Sequence, residues 1–137
     1  MNPWTYQCSP VTRPIEGTEG FIYLITFDHA APGQPYRYIG QKSWYSHRTK
    51  AIKGRVNRKH FTLESDWQKY FGSCEPLLEL VKLHGPDAFT REILHPCDSK
   101  WMMNYTEAYC LFQTHALLKP AEYFNANIGL TYYRPKC

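Results

Sequence analysis

The sequence predicts one α/β domain in which a small, mostly antiparallel three-stranded sheet is flanked by helices. Three observations lead to this prediction. Two neighbouring apolar segments are separated by a turn-rich connector, two later stretches carry a helical apolar period, and a short apolar segment lies between those stretches. The chain has 137 residues, of which 43% are hydrophobic and 20% charged, so it can bury one core without disulfides or metal ions.

The first two strands are predicted at residues 21–27 and 36–40. Both segments are rich in aromatic and β-branched side chains, and the connector 28–35 carries two prolines and a glycine, which favour reversal of the chain. Successive side chains of a strand point to opposite faces, and both sets in 21–27 are largely apolar. We therefore expect a β-hairpin whose first strand is covered on both sides.

Caps and apolar spacing predict the elements that follow. A short helix is expected over residues 64–70, where Thr62 could cap it and Gly72 would end it. A second helix should occupy residues 73–84, because apolar side chains recur there at helical spacing. Residues 89–94 then form the third predicted strand.

The last predicted element is a long helix. Asp98 or Ser99 can cap its first turn, and its apolar stripe continues to about Lys119. Glu107 is the only acidic residue on this helix, and its neighbours at helical spacing are uncharged. A carboxylate in such surroundings is either paired with another side chain or has a function.

Residues 1–19 show neither a helical nor a strand period. We expect an N-terminal arm there, followed by the folded domain at 20–137. The arm could pack on the domain through Trp4 and Tyr6, or it could bind a partner, and both alternatives remain open.

A long acid-free block separates Asp28 from Glu64, although the net charge of the chain is only +4. The block holds half of the sixteen basic residues, namely Arg37, Lys42, Arg48, Lys50, Lys53, Arg55, Arg58 and Lys59. Protein surfaces usually mix charges of both signs, so a block of one sign predicts a polyanionic partner such as nucleic acid. All of these residues except Arg37 are candidate DNA contacts. The alternative is a basic loop that binds nothing.

Several other classes of protein receive no support from the sequence. The N-terminus lacks a signal-peptide pattern, and the five cysteines are odd in number and not closely paired, so we expect a reduced protein in the cytoplasm. The sequence contains no Cys-x-x-Cys pair, so it gives no support for a zinc site. Glycine-rich phosphate loops and nucleophile elbows, the motifs of nucleotide and ester hydrolysis, are absent from the sequence.

The two predicted strands carry motifs that resemble those of the GIY-YIG nuclease family. The motifs stand here as Phe21–Tyr23 and Tyr38–Gly40, and Phe21 replaces the usual glycine of the first. The stretch Glu64–Ser73, followed by Leu-His-Gly and a strand, is similar to the layout of phage-encoded members. The resemblance covers residues 21 to about 129 and implies the GIY-YIG fold in a protein of a phage-infected bacterial cell.

The resemblance implies a metal-dependent endonuclease that hydrolyses phosphodiester bonds in DNA. Glu107 matches the glutamate that binds the single Mg²⁺ or Mn²⁺ ion in the family. Arg48 matches the catalytic arginine, although Arg55 or Arg58 could take that role. A guanidinium group offers paired donors to phosphate oxygens and stabilises their developing charge.

The remaining catalytic residues implied by the resemblance lie on or near the strand motifs. Tyr23 or Tyr38 would position or deprotonate the attacking water. A tyrosine can act as a base only if nearby cations such as Lys42 lower its pKa from about 10. Asn125, or alternatively Asn127, matches an asparagine that steadies the active site in the family.

Two other functions stay open at the level of sequence. The loss of glycine in the first motif is compatible with a catalytically silent DNA-binding module. An inhibitor of a host enzyme is also conceivable, although a DNA mimic would be acidic and this chain is basic. Because no separate recognition domain is evident, cleavage of both DNA strands would need a homodimer or two successive binding events.

Overall fold

The computed structural model describes residues 2–51, 53–54 and 59–128, without the side chains of Lys50, Lys59 and His60. The strands are β1 (Trp4–Tyr6), β2 (Ser9–Pro10), β3 (Gly20–Phe27), β4 (Arg37–Ser43), β5 (Tyr45–Lys50), β6 (Lys59–Glu64) and β7 (Phe89–Cys97). The helices are α1 (Glu75–His84) and α2 (Lys100–Gln113), with short 3₁₀ turns at Trp67–Lys69, Pro86–Ala88 and Ala116–Leu118.

The main sheet has five strands in the order β2-β1-β7-β3-β4. Its centre consists of the predicted strands, because β3 pairs antiparallel with both β4 and β7. The prediction of a three-stranded sheet is corrected at one edge, where β1 pairs parallel with β7 and β2 pairs antiparallel with β1. The expected arm thus contributes two strands, which are too short to show a period in the sequence. The sheet is therefore mixed.

Strand β3 is buried on both faces, as the apolar character of both its sides predicts. One face packs against α1 and the β1 side of the molecule, in a cluster that includes Trp4, Phe21, Tyr23, Ile25, Phe27, Trp44, Trp67, Leu77 and Phe89. The other face packs against α2, in a cluster that includes Ile22, Ile39, Cys97, Met103, Cys110, Leu111 and Tyr123. The sheet thus separates two apolar layers.

The ends of the helices differ in part from the sequence prediction. Helix α1 is confirmed. Its last residue is His84, and it is followed by the C-cap Gly85, whose φ of 83° favours glycine. The Ser99 hydroxyl caps α2 by accepting a hydrogen bond from the Met102 amide at 3.1 Å. Helix α2 stops at Gln113, well before the predicted end, because His115 adopts the left-handed conformation with φ 54°.

The helix predicted over residues 64–70 is absent from the described structure. Strand β6 reaches Glu64, and only the 3₁₀ turn Trp67–Lys69 follows it. The indole of Trp67 is fully buried and donates a hydrogen bond to the Glu64 carboxylate at 2.6 Å. Burial of this tryptophan against the sheet outweighs the weak local helical preference.

The acid-free block forms an antiparallel hairpin that the sequence did not predict. Strands β5 and β6 pair from Tyr45↔Glu64 to Lys50↔Lys59, separately from the main sheet. Trp44 joins the two sheets, because its ring is buried in the core and its amide donates a hydrogen bond to the Glu19 carbonyl at 3.0 Å.

A buried arginine connects the N-terminal segment to the rest of the domain. Arg91 on β7 is only 2% exposed, and burial lowers its pKa to about 10. Its guanidinium donates hydrogen bonds to the carbonyls of Gln68 at 3.0 Å, Tyr70 at 2.9 Å and Asn2 at 2.9 Å. The same group lies 4.7 Å from the ring of Trp4.

Two further observations concern the cysteines and the helices. Cys8, Cys74, Cys97 and Cys110 are free thiols. Within the ranges that the structure describes, the helices are too short and too polar for any of them to cross a membrane.

The contacts of Arg91 yield a prediction about stability. Replacing Arg91 by Met keeps much of the apolar stem and removes the donors, so three carbonyls lose a buried partner. We expect the free energy of unfolding to fall by about 3 kcal/mol. Urea denaturation measures it, with Lys82→Met on exposed α1 as the control. A change as small as that of the control would contradict the structural role of Arg91.

Candidate active site

The candidate site is built on the edge strand β4. Tyr38, Gly40 and Lys42 lie at positions of β4 that share the face packed against α1, because their partners on β3 belong to that layer. Ile39 and Gln41 alternate with them and face α2. The second sequence motif therefore presents side chains to both faces at the same edge of the sheet.

The two motif tyrosines lie together on the α1 side. Their ring centroids are 6.2 Å apart, and Tyr23 is only 1% exposed whereas Tyr38 is half-buried. A Cβ atom on Gly40 would overlap the phenol oxygen of Tyr23. Gly72, at φ 89°, lies against both rings, and Tyr70 packs edge-on against Tyr23 with a centroid distance of 5.9 Å. The close approach requires glycine at position 40, whereas the positive φ favours glycine at position 72.

Burial raises the pKa of both tyrosines. For Tyr23 the pKa lies well above its ordinary value, because burial dominates and the neighbouring Tyr70 and Tyr38 add to it. For Tyr38 burial again raises the pKa, and a hydrogen bond with Ser73 opposes the shift. Both phenols therefore stay protonated at neutral pH in this arrangement. The charge of Glu107 makes a minor contribution that raises the pKa of both phenols.

Glu107 projects from α2 toward β4 and is held by an amide network. Gln41 donates hydrogen bonds from Nε2 to Glu107 Oε2 at 3.0 Å and to Asn104 Oδ1 at 2.8 Å. The Lys100 ammonium donates to Gln41 Oε1 at 2.7 Å, which fixes the orientation of the amide. Burial raises the pKa of Glu107, and the Gln41 hydrogen bond and the Lys100 charge oppose that shift.

This donor set fits a hard divalent cation. Glu107 supplies a carboxylate and Asn104 an amide oxygen, which are the ligand types that Mg²⁺ and Mn²⁺ prefer. No cluster of three or more His, Cys, Asp or Glu side chains exists in the described ranges. Mg²⁺ commonly binds through one or two carboxylates, water and substrate phosphate, so a single glutamate is compatible with it.

Lys42 does not lower the pKa of the motif tyrosines, which a tyrosine base would require. Its ammonium is 2.6 Å from Asp66 Oδ1 and 4.2 Å from the centroid of the Tyr70 ring. The positive charge is thus already matched by Asp66, and no lowering of the pKa of Tyr23 or Tyr38 results.

Asn125 supports the second motif from outside the sheet. Its side chain accepts a hydrogen bond from the Ile39 amide at 3.0 Å and donates one to the Ile39 carbonyl at 2.8 Å. The amide thus pairs with β4 as another strand would, and it fixes the backbone between Tyr38 and Gly40. Asn127 is exposed.

Four of the basic candidates lie on or near the β5–β6 hairpin, namely Arg48, Lys50, Lys53 and Lys59. Arg48 and Lys53 are exposed, and the structure gives Arg48 no hydrogen bond or ion pair to the tyrosines or Glu107. The backbones of Lys50 and Lys59 pair across the hairpin. Arg55 and Arg58 fall outside the described residues. The geometry therefore brings Tyr23 and Tyr38 together on one face of β4 and places Glu107 against Gln41 on the other face. Lys42 lies on the same strand, and Asn125 binds its backbone.

Sequence reasoning missed several polar residues of the site. Lys100 and Asn104 precede Glu107 by helical spacing, so they share its face of α2, and this period could have identified them. Gln41 directly follows the second motif. Tyr70 and Asp66 carry no sequence signal, because only the fold brings them to Lys42.

Comparison with known proteins identifies the class of this domain. A family model described as "Putative endonuclease segE, GIY-YIG domain" matches residues 4–128. The chain therefore belongs to this GIY-YIG endonuclease family, and the resemblance seen in the two strand motifs is confirmed. No curated protein and no solved structure matches the chain.

The departure at Phe21 affects the core and leaves the polar groups of the site in place. Phe21 is fully buried, with ring centroids 5.1 Å from Trp4 and 4.4 Å from Trp44. The close backbone approach that needs glycine occurs one residue earlier, at Gly20, where a Cβ would lie 2.5 Å from the carbonyl oxygen of Lys42.

The contact between Gly40 and Tyr23 yields a second prediction. In Gly40→Ala the new methyl group overlaps the phenol, so we expect the free energy of unfolding to fall by about 1–3 kcal/mol. Tyr23→Phe removes the nearest atom of that overlap and should restore part of the loss in the double variant. Urea denaturation of the two single variants and the double variant measures this coupling. Strictly additive losses would contradict the proposed overlap.

Proposed function

We propose that the protein is a metal-dependent endonuclease that hydrolyses phosphodiester bonds in DNA. The observation that carries the proposal is a half-buried Glu107 carboxylate that accepts a hydrogen bond at 3.0 Å from Gln41, the residue that directly follows the second strand motif. Partly buried carboxylates with a raised pKa beside other polar groups are typical of catalytic sites. Membership of an endonuclease family supports the same chemistry.

Glu107 would hold the Mg²⁺ or Mn²⁺ ion, and Gln41 would orient its carboxylate. When bound, such an ion supplies Lewis acidity that stabilises charge on the phosphate and on the leaving oxygen. The Gln41 hydrogen bond engages Glu107 Oε2, and the Lys100 contact keeps the Gln41 carbonyl turned away from the carboxylate. Partners of this kind hold a metal ligand in its binding orientation.

The tyrosines would orient the attacking water as neutral phenols. Hydrolysis forms one bond from the water oxygen to phosphorus and breaks one phosphorus–oxygen ester bond. Because the pKa of both phenols is raised, neither Tyr23 nor Tyr38 is available as a tyrosinate at neutral pH. Half-buried Tyr38 is the phenol that a substrate can reach, and Tyr23 would keep it in position.

The basic hairpin would supply sequence-independent affinity for the DNA backbone. Arg48 and Lys53 are exposed there, and Arg48 is the candidate for contact with the scissile phosphate. Cleavage of both strands by a domain with one such site would need two copies of the chain or two binding events.

The function is tested by separating cleavage from binding with Glu107→Gln. This change keeps the size of the side chain and removes the charge that would hold the metal ion. We expect cleavage of supercoiled plasmid in Mg²⁺ to fall by at least about a hundredfold, because the ion contributes several kcal/mol to the transition state. Binding of a DNA duplex in EDTA should be unchanged or slightly tighter.

The matched control is Glu92→Gln, which makes the same change on an exposed residue of β7 and should cut at the wild-type rate. A folded Glu107→Gln protein that cuts as fast as this control would refute the metal-ligand assignment. Wild-type protein that binds DNA and never cuts it in Mg²⁺ or Mn²⁺ would instead identify a silent DNA-binding module.

The hairpin gives a separate prediction about affinity. In Arg48→Ala/Lys53→Ala, DNA binding should weaken on every sequence, and the slope of log K against log salt should flatten by up to about 0.9 per lost phosphate contact. Arg13→Ala/Lys119→Ala removes the same charge from exposed sites after β2 and after α2. Equal effects of the two double variants would show that net charge alone determines binding.

A further inference from the structure

The ammonium group of Lys42 lies between a carboxylate and an aromatic ring. Its Nζ is 2.6 Å from Asp66 Oδ1 and 4.2 Å from the centroid of Tyr70. Tyr70 packs edge-on against Tyr23, with ring centroids 5.9 Å apart. One aromatic ring therefore separates this cation from the more deeply buried phenol of the candidate site.

Asp66 is not used for the local role that its position suggests. It occupies the N-cap of the 3₁₀ turn Trp67–Lys69, where an aspartate side chain usually accepts a backbone hydrogen bond, yet no such bond forms. Its carboxylate engages Lys42, whose hydrogen bond and charge lower the pKa of Asp66. The side chain of Asp66 is 72% exposed and that of Lys42 only 19%. Asp66 is thus the partner that can turn away into solvent.

An open groove of about 550 Å³ contains the Asp66 side of this ion pair. Tyr70, Gly72 and residues of α1 also line it. Gly72 also touches the rings of both motif tyrosines, so the groove borders the candidate site. A ligand that lies in the groove would reach Lys42 by displacing Asp66.

We propose that Lys42 and Tyr70 form a binding subsite for a backbone phosphate of DNA, and that the Asp66 carboxylate occupies this subsite until DNA displaces it. The inference rests on the proposed nuclease function. Carboxylate and phosphate oxygens accept charge-assisted hydrogen bonds from an ammonium at similar distances. One anion can therefore replace the other while Tyr70 keeps Lys42 in place.

The exchange makes DNA binding weaker and more selective than it would be if Lys42 were unpaired. Each bound DNA must replace an existing ion pair, so a backbone that does not reach Lys42 gains nothing from it. After cleavage, Asp66 can recapture Lys42 and favour release of the product phosphate.

The test measures binding of a DNA duplex in EDTA at several salt concentrations. In Asp66→Asn the competing charge is gone, so we expect affinity to rise about twofold to fivefold. The salt slope should steepen by up to about 0.9. In the wild type, the cation that the DNA releases is offset by a cation that binds the freed Asp66, and Asp66→Asn removes this offset. Glu92→Gln removes one charge from an exposed site on β7, outside the groove, and should leave the slope unchanged.

The dependence on Lys42 is tested in a double variant. Lys42→Ala should weaken binding, and Asp66→Asn should then have no further effect. An equal gain from Asp66→Asn with and without Lys42 would overturn the proposal in favour of general repulsion. Weaker DNA binding by Asp66→Asn with a lowered urea midpoint would overturn it in favour of a purely structural ion pair.

Failure of this inference is distinguishable from failure of the proposed function. If wild-type protein binds and cuts DNA but Asp66→Asn matches it in affinity and salt slope, the Asp66 exchange alone is wrong. If wild-type protein binds no DNA duplex at any salt concentration, the nuclease proposal fails and this inference fails with it.

Discussion

Burial of β3 on both faces is the constraint on which the rest of the structure depends. A strand with apolar side chains on both sides needs a cover on each, and α2 supplies one while α1 and the tryptophan-rich layer supply the other. Its two edges must also be paired, so β4 and β7 flank it in antiparallel register. Once β3 is fixed, β4 becomes the edge of the sheet and the place where polar groups can gather.

The candidate site uses that edge from both sides. Tyr23 crosses over Gly40 on one face, and Gln41 binds Glu107 on the other. The phenol pair and the carboxylate thus lie in separate layers on the two sides of one strand. The side-chain amide of Asn125 forms hydrogen bonds with the backbone of Ile39 at the same edge. The packing of Tyr23 depends on Gly40, a backbone position that no side chain may fill.

The sequence predicted the strands and helices that bury continuous apolar periods, namely β3, β4, β7, α1 and the start of α2. It missed β1, because a three-residue strand has no period, and the β5–β6 hairpin, whose polar faces resemble a loop. The contact between Tyr23 and Gly40 lies in motifs that could be recognised, whereas the Lys42–Asp66–Tyr70 contact depends on folding of three separate segments. The motif residues could therefore be recognised from the sequence, whereas the partners of Lys42 could be identified only from the fold.

The parallel pairing of β1 with β7 affects the order in which the domain can form during synthesis. Trp4 is made first, yet it is paired with Arg91, whose guanidinium also reaches the Asn2 carbonyl. Strand β1 can pair with β2 at once, but its other edge stays unpaired and Trp4 stays exposed until β7 has been synthesised. Contacts so distant in sequence are slow to form, and an unpaired apolar edge can associate with other chains meanwhile. Translation speed through β7 would consequently influence the yield of folded protein.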